Sequence, residues 1–155
     1  MAIDAAETVY YIANAASASN LMRIMLSHLT VGSTSFSVPV DVSDAPQDPM
    51  VFHAFPFIAT GKKAGDVRVA WMDNRTGEWN LWYRQSSNGG ASWEASSIRL
   101  SNSVRFGFQN EDGFLFPYGD YGSMVVDKND NTHIIWGEGY GTISFLFIYL
   151  TRKKK

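Results

Sequence analysis

Between Phe55 and Ser101 the chain alternates short runs of β-branched and aromatic residues with clusters of turn residues. The order is "FPFIATG", "KKAG", "DVRVAWMD", "NRTGE", "WNLWYRQS", "SNGGAS" and "WEASSIRLS". Runs of this length, punctuated by Gly, Asn and Asp, are too short to lay an apolar stripe along a helix; they read as the four strands of an antiparallel meander. The plan recurs further on. "GSMVVDKNDNTHIIWGEGYGTISFLFIYLTR" offers a strand, an Asn-Asp-Asn turn, a strand carrying Trp136 where the earlier one carries Trp71, a Gly/Tyr loop and another strand. Upstream, "TVYYIANAASASNLMRIMLSHLTVGSTSFSVPVDVS" matches strands two, three and four of the same unit. A helix competes only at "LMRIMLSHL", whose alternation also suits a two-sided strand, and a strand is expected there.

Three repeats follow, over approximately residues 9–43, 55–101 and 117–150, the first lacking its opening strand and the last its closing one. Repeated four-stranded antiparallel sheets are the plan of a β-propeller. The expected fold is therefore all-β, a partial propeller of about 2.5 to 3 blades forming one domain over residues 1–155; a β-sandwich is the alternative. With 45% hydrophobic and 18% charged residues the chain can fill a core of that kind. Unclosed, three blades would leave "VYYIA" and "SFLFIYL" uncovered, so a homo-oligomer or membership of a longer propeller is expected.

The stretch "SSNGGASW" contains more than a hairpin needs. It resembles the Asp-box of the sialidase superfamily and related BNR-repeat propellers, Ser-x-Asp-x-Gly-x-Thr-Trp, with Ser86, Asn88, Gly90, Ser92 and Trp93 in the motif positions. Asn88 replaces aspartate and Ser92 replaces threonine, yet the chemistry carries over. The Ser86 hydroxyl and Asn88 carbonyl can accept turn N–H groups, Gly90 tolerates a positive φ, and Trp93 can fill the gap between strands three and four. Sialidase-type repeats are likewise resembled by "VAWMDNRTGEWNLWYRQS" and "GDYGSMVVDKNDNTHIIWGE", and the likeness spans roughly residues 9–150. The motif itself is structural. The resemblance implies a propeller that binds or hydrolyses glycans, with a non-catalytic interaction scaffold as the alternative, and it favours a secreted protein.

In a four-stranded meander, successive turns alternate between the two ends of the sheet. The Asp-box stretch and "DKNDN" then share one end, while "DNRTGE", "GEGYG" and "SNSVRFGFQNEDGFLFPYGDYG" share the other, where propellers usually bind ligands. That end holds the candidate saccharide-binding residues Asp73, Arg75, Arg105, Tyr118 and Tyr121, beside Asn74, Glu111 and Asp112, with Asp48 and His53 from "SDAPQDPMVFHAF". A sialidase needs an arginine cluster for the substrate carboxylate, a tyrosine nucleophile activated by glutamate, and an aspartate acid/base. The family's Phe/Tyr-Arg-Ile-Pro segment is absent, and Asp120, Tyr121, Glu138 and Tyr140 are the nearest catalytic candidates.

Other classes have less support. A net charge of −2, with basic residues clustered only at the terminal "RKKK", gives no footprint for nucleic acid. Zero cysteines exclude disulfides and thiol chemistry. His28, His53 and His133 are too scattered to suggest a metal site, "DKNDN" lacks the glycine of a calcium loop, and no cofactor is expected. The opening "MAIDAAETVYY" shows no signal-peptide pattern, and "TISFLFIYL" is about half the length of a membrane span.

Overall fold

The computed structural model describes residues 1–101, 108–109, 115–116, 122–139 and 145–152, with side-chain surroundings for 1–101 and 122–137. All regular structure among them is β, in antiparallel pairs. The first sheet runs β1 (Ala2–Ile3), β2 (Val9–Ala16), β3 (Met22–Leu29) and β4 (Val40–Asp41) in that order. The second runs β5 (His53–Thr60), β6 (Val67–Asp73), β7 (Asn80–Ser86) and β8 (Ile98–Arg99). A two-residue ladder, β9 (Phe108–Gln109) with β10 (Leu115–Phe116), precedes a three-stranded sheet of β11 (Ser123–Val126), β12 (Thr132–Gly139) and β13 (Phe145–Arg152).

The meander plan, its strand order and the strand at "LMRIMLSHL" are as read from the sequence, with four corrections. The first repeat has its opening strand, because Ala2 and Ile3 pair with Tyr10 and Val9. The closing strand "WEASSIRLS" shrinks to Ile98–Arg99; before it, the Ser97 N–H donates to Asp44 Oδ2 (2.6 Å) in a loop of the first sheet, so the backbone is drawn off β7. His53 begins β5 instead of lying in a loop, and β5 bulges between Ala54 and Phe57, which lets Pro56 sit in a strand without a missing ladder donor. The long segment after Ser101 carries the small β9–β10 ladder.

The sheets stack face to face in chain order, each joint filled by its own apolar cluster. Tyr10, Ile12, Ile24 and Leu26 of the first sheet meet Val67, Val69 and Trp71 of the second. On its other face, Ala70, Met72, Leu81 and Tyr83 meet Met124, Ile134 and Trp136 of the third. Lying between two neighbours, β6 is buried at every residue and reads as an apolar run broken by Arg68 and ended by Asp73. The opening strands β1, β5 and β11 lie side by side, with β5 touching the other two. Gly122 enters this line so closely that a Cβ would fall 2.5 Å from the Phe57 ring.

Candidate functional site

At the end of the sheets that bears the "DNRTGE" loop, charged side chains converge where the first and second sheets join. Asp73, the last residue of β6, is fully buried. It accepts hydrogen bonds from Trp71 Nε1 (2.8 Å) and from Arg75 Nε and Nη2 (2.9 and 2.6 Å). Arg75 Nη1 donates to Asp44 Oδ1 (2.6 Å) and Ser97 Oγ (3.1 Å), and the guanidinium lies 4.1 Å from the centre of the Trp82 ring. Burial by itself would lower the Arg75 pKa, but Asp73 and Asp44 outweigh it and hold it above its ordinary value. For Asp44, burial pulls upward, and the Ser97 and Arg75 hydrogen bonds prevail, holding its carboxyl at about 2.

Beside this pair, His53 is buried with Nε2 2.8 Å from Ser43 Oγ and 3.8 Å from Asp73 Oδ2. The trio has the composition of a nucleophilic triad but not its geometry. A base must take the serine proton on one ring nitrogen while the acid orients the other; here serine and aspartate both lie at Nε2, and Nδ1 is buried without a hydrogen bond. Burial, reinforced by Arg23 and Arg75 against the opposing pull of Asp73, keeps His53 below its ordinary pKa and hence neutral at pH 7. Arg23 is equally committed, with Nε on Asp41 (2.7 Å) and its other donors on the carbonyls of Ser43, Ala45 and Pro46. The cluster ties the loops together.

The rim outside it is more open. Asn74 Oδ1 accepts from Phe52 N (2.7 Å) and Asn74 Nδ2 donates to Met50 O (3.1 Å), which pins the loop carrying Asp48 and leaves the Met50 and Phe52 side chains exposed. Among the sequence candidates, the structure thus brings together Asp73, Arg75 and His53, and places Asn74 and Asp48 nearby. Arg105, Glu111, Asp112, Tyr118, Asp120, Tyr121 and Tyr140 lie outside the described residues; Glu138 is in β12, with its side chain not described. Sequence reading missed Asp44, Ser43 and Asp41. Their signal is the cluster of short polar residues in "DVSDAP", which prefigures a turn at the end of β4 whose side chains accept hydrogen bonds.

At the opposite end, the "SSNGGASW" turn closes on itself. Ser86 Oγ accepts from Asn88 N (3.2 Å) and Gly90 N (2.9 Å), Asn88 Oδ1 accepts from Ser92 N (2.9 Å), and Asn88 Nδ2 donates to Ser92 Oγ (2.8 Å). Gly89 and Gly90 both hold positive φ. Trp93 is half-buried against the first cluster rather than sealed inside it. An open groove of about 660 Å³ runs beside the turn, floored by Leu26 and Tyr10 and edged by His28, Val38, Gly65 and Asn88. Asp4 at its side is fully engaged, accepting from Ala6 N, Thr8 N, Gly65 N and Tyr10 Oη. Tyr10 in turn is pushed up to about 12 by burial and by Asp4. Among the described residues, no three acidic or histidine side chains are grouped so as to hold a metal ion, and no helix is long and apolar enough to cross a membrane. No protein-family model matches the chain, and no curated protein matches it either.

Proposed function

We propose that this chain is a segment of a sialidase-type β-propeller that serves as a recognition scaffold, taking up a saccharide at the loop rim opposite the Asp-box turn without hydrolysing it through the described residues. The observation that carries this reading is the state of Arg75. Within the described residues it is the candidate for gripping a substrate carboxylate, and its donors are taken by Asp73, Asp44 and Ser97 while its face is stacked on Trp82. An arginine so held braces the loops beneath a binding rim; presenting itself to an anionic sugar would mean giving up buried ionic hydrogen bonds. Further support comes from the stacked meanders, the adjoining opening strands and the hydrogen-bonded Ser86–Asn88–Ser92 turn.

A glycan-array screen of the parent protein, followed by titration of the best saccharide, tests the proposal. Tyr121→Ala should abolish binding without moving the melting temperature, and a fluorogenic sialoside should stay uncleaved. Turnover by the parent would make the chain a hydrolase. A parent that binds no glycan would favour protein recognition, for which the exposed Met50 and Phe52, held out by Asn74, provide a ready contact.

A further inference from the structure

Each sheet has a leading face, turned to the next sheet in the chain, and a trailing face, turned to the one before. Trailing residues Val67, Val69 and Trp71 are covered by the first sheet, and trailing residues Met124, Ile134 and Trp136 by the second. Two faces have no such neighbour among the described residues. On the trailing face of the first sheet, Tyr11 is 48% exposed and stands edge-on to the exposed Phe36, and the exposed Ile3, paired with Val9, lies on the same face. On the leading face of the third, Val125 is 58% exposed and Ile135 is exposed too.

The registers show what each face is shaped to meet. Val9 pairs with Leu29, Val67 with Ser86 and Thr132 with Arg152 at the same end of their hairpins, so Tyr10, Arg68 and His133 occupy one equivalent leading position. Two residues before the trailing members Val9, Val67 and Thr132 come Glu7, Gly65 and Asp130, all in the left-handed region at φ 61°, 77° and 67°. At both internal joints the leading position is linked to the left-handed residue of the next sheet. Tyr10 reaches Gly65 through the shared Asp4 carboxylate, and Arg68 bonds the Asp130 carbonyl (3.0 Å) and pairs with its carboxylate. The outer members of the series are His133 on the leading side, held 3.0 Å from its own Asp127 as Tyr10 is held on Asp4, and the exposed acid Glu7 on the trailing side.

We propose that the leading face of the third sheet and the trailing face of the first are the two halves of one interface, formed head to tail between two copies of this chain, with His133 facing Glu7 of the partner subunit. The described residues of each copy bring three stacked sheets, so two copies bring six, within the roughly four to eight that close a ring, and a head-to-tail contact that closes on the second copy produces a dimer with two identical joints. The inference rests on the stacked sheets and is independent of saccharide recognition.

Sedimentation velocity near pH 6 should find the parent at twice the 17.3 kDa chain mass. Tyr11→Lys or Val125→Lys should each give monomers with an unchanged far-ultraviolet circular dichroism spectrum. Mixing the two variants should restore a dimer, because each supplies the face the other has lost, a result that misfolded chains cannot produce. Glu7→Lys should weaken association about tenfold, and adding His133→Glu should recover it. A monomeric parent, a dimer that both lysine variants leave intact, or a mixture that stays monomeric would overturn the proposal.

Discussion

Gly90 shows how tightly single positions are specified. Its φ of 89° is costly for any side chain, and an added Cβ would fall 2.9 Å from Leu26 Cδ2 in the neighbouring sheet. Gly90→Ala should therefore lower stability by roughly 1–3 kcal/mol in a denaturant titration. Trp93→Ala, at a half-buried site, should cost less than the ~3–5 kcal/mol typical of a sealed core aromatic. Ionisable residues add a pH signature. The folded Asp44 carboxyl is held at about 2 against an ordinary 3.8, so its contribution is complete above about pH 4 and drains away toward pH 2. Asp44→Asn should accordingly destabilise the protein at pH 7 and converge with the parent in acid melts. His53 works over another window: its depressed pKa means the unfolded chain binds the proton first, so stability present above pH 6.5 falls as the solution is acidified. Replacing His53 by Gln should flatten that part of the stability-versus-pH profile; an unaltered slope would show that His53 does not titrate there.

Strands and turns were the most legible level, since period-two alternation and Gly/Asn/Asp punctuation are local signals that the stacking reinforces. Trp71 and Trp136 announce equivalent strands because both fill the same trailing position of a joint. The errors are at strand ends, where tertiary contacts decide. β8 is short because Asp44, far away in sequence, captures Ser97, and β1, only two residues long, is held in place by Thr60 Oγ1 of the next sheet, which bonds the Ile3 carbonyl (2.7 Å). The candidate site was legible in part for the same reason. Asp73 and Arg75 stand out as a polar pair after an apolar strand, whereas nothing local reveals that Asp44 completes their ion-pair network. Between sheets, the deepest staple is Arg68, joined to Asp66, Asp130 and Thr132. Arg68→Ala would remove the buried cation shared by Asp66 and Asp130 and should cost about 3–5 kcal/mol in thermal or chemical unfolding; a loss below 1 kcal/mol would show that the second and third sheets are held by apolar packing alone.

Across the whole molecule, each first turn is organised around one carboxylate, yet that carboxylate does not always come from the same place. Asp4 and Asp127 occupy equivalent positions just after β1 and β11 and receive turn N–H groups. After β5 the position belongs to Gly61, and Asp66 reaches in from the far side of the turn, so close that a Cβ on Gly61 would sit 2.1 Å from its Oδ2. The residue opposite follows suit, with Tyr10 on Asp4, Arg68 on Asp66 and His133 on Asp127. Gly61 and Asp66 are thus two settings of one exchange. Moving the acid back by Gly61→Asp alone would crowd two carboxylates into one site, and Asp66→Gly alone would strip Arg68 of a partner. Neither position can change alone without loss of stability, so Gly61 and Asp66 form a coupled pair in which the absent side chain is what admits the distant acid.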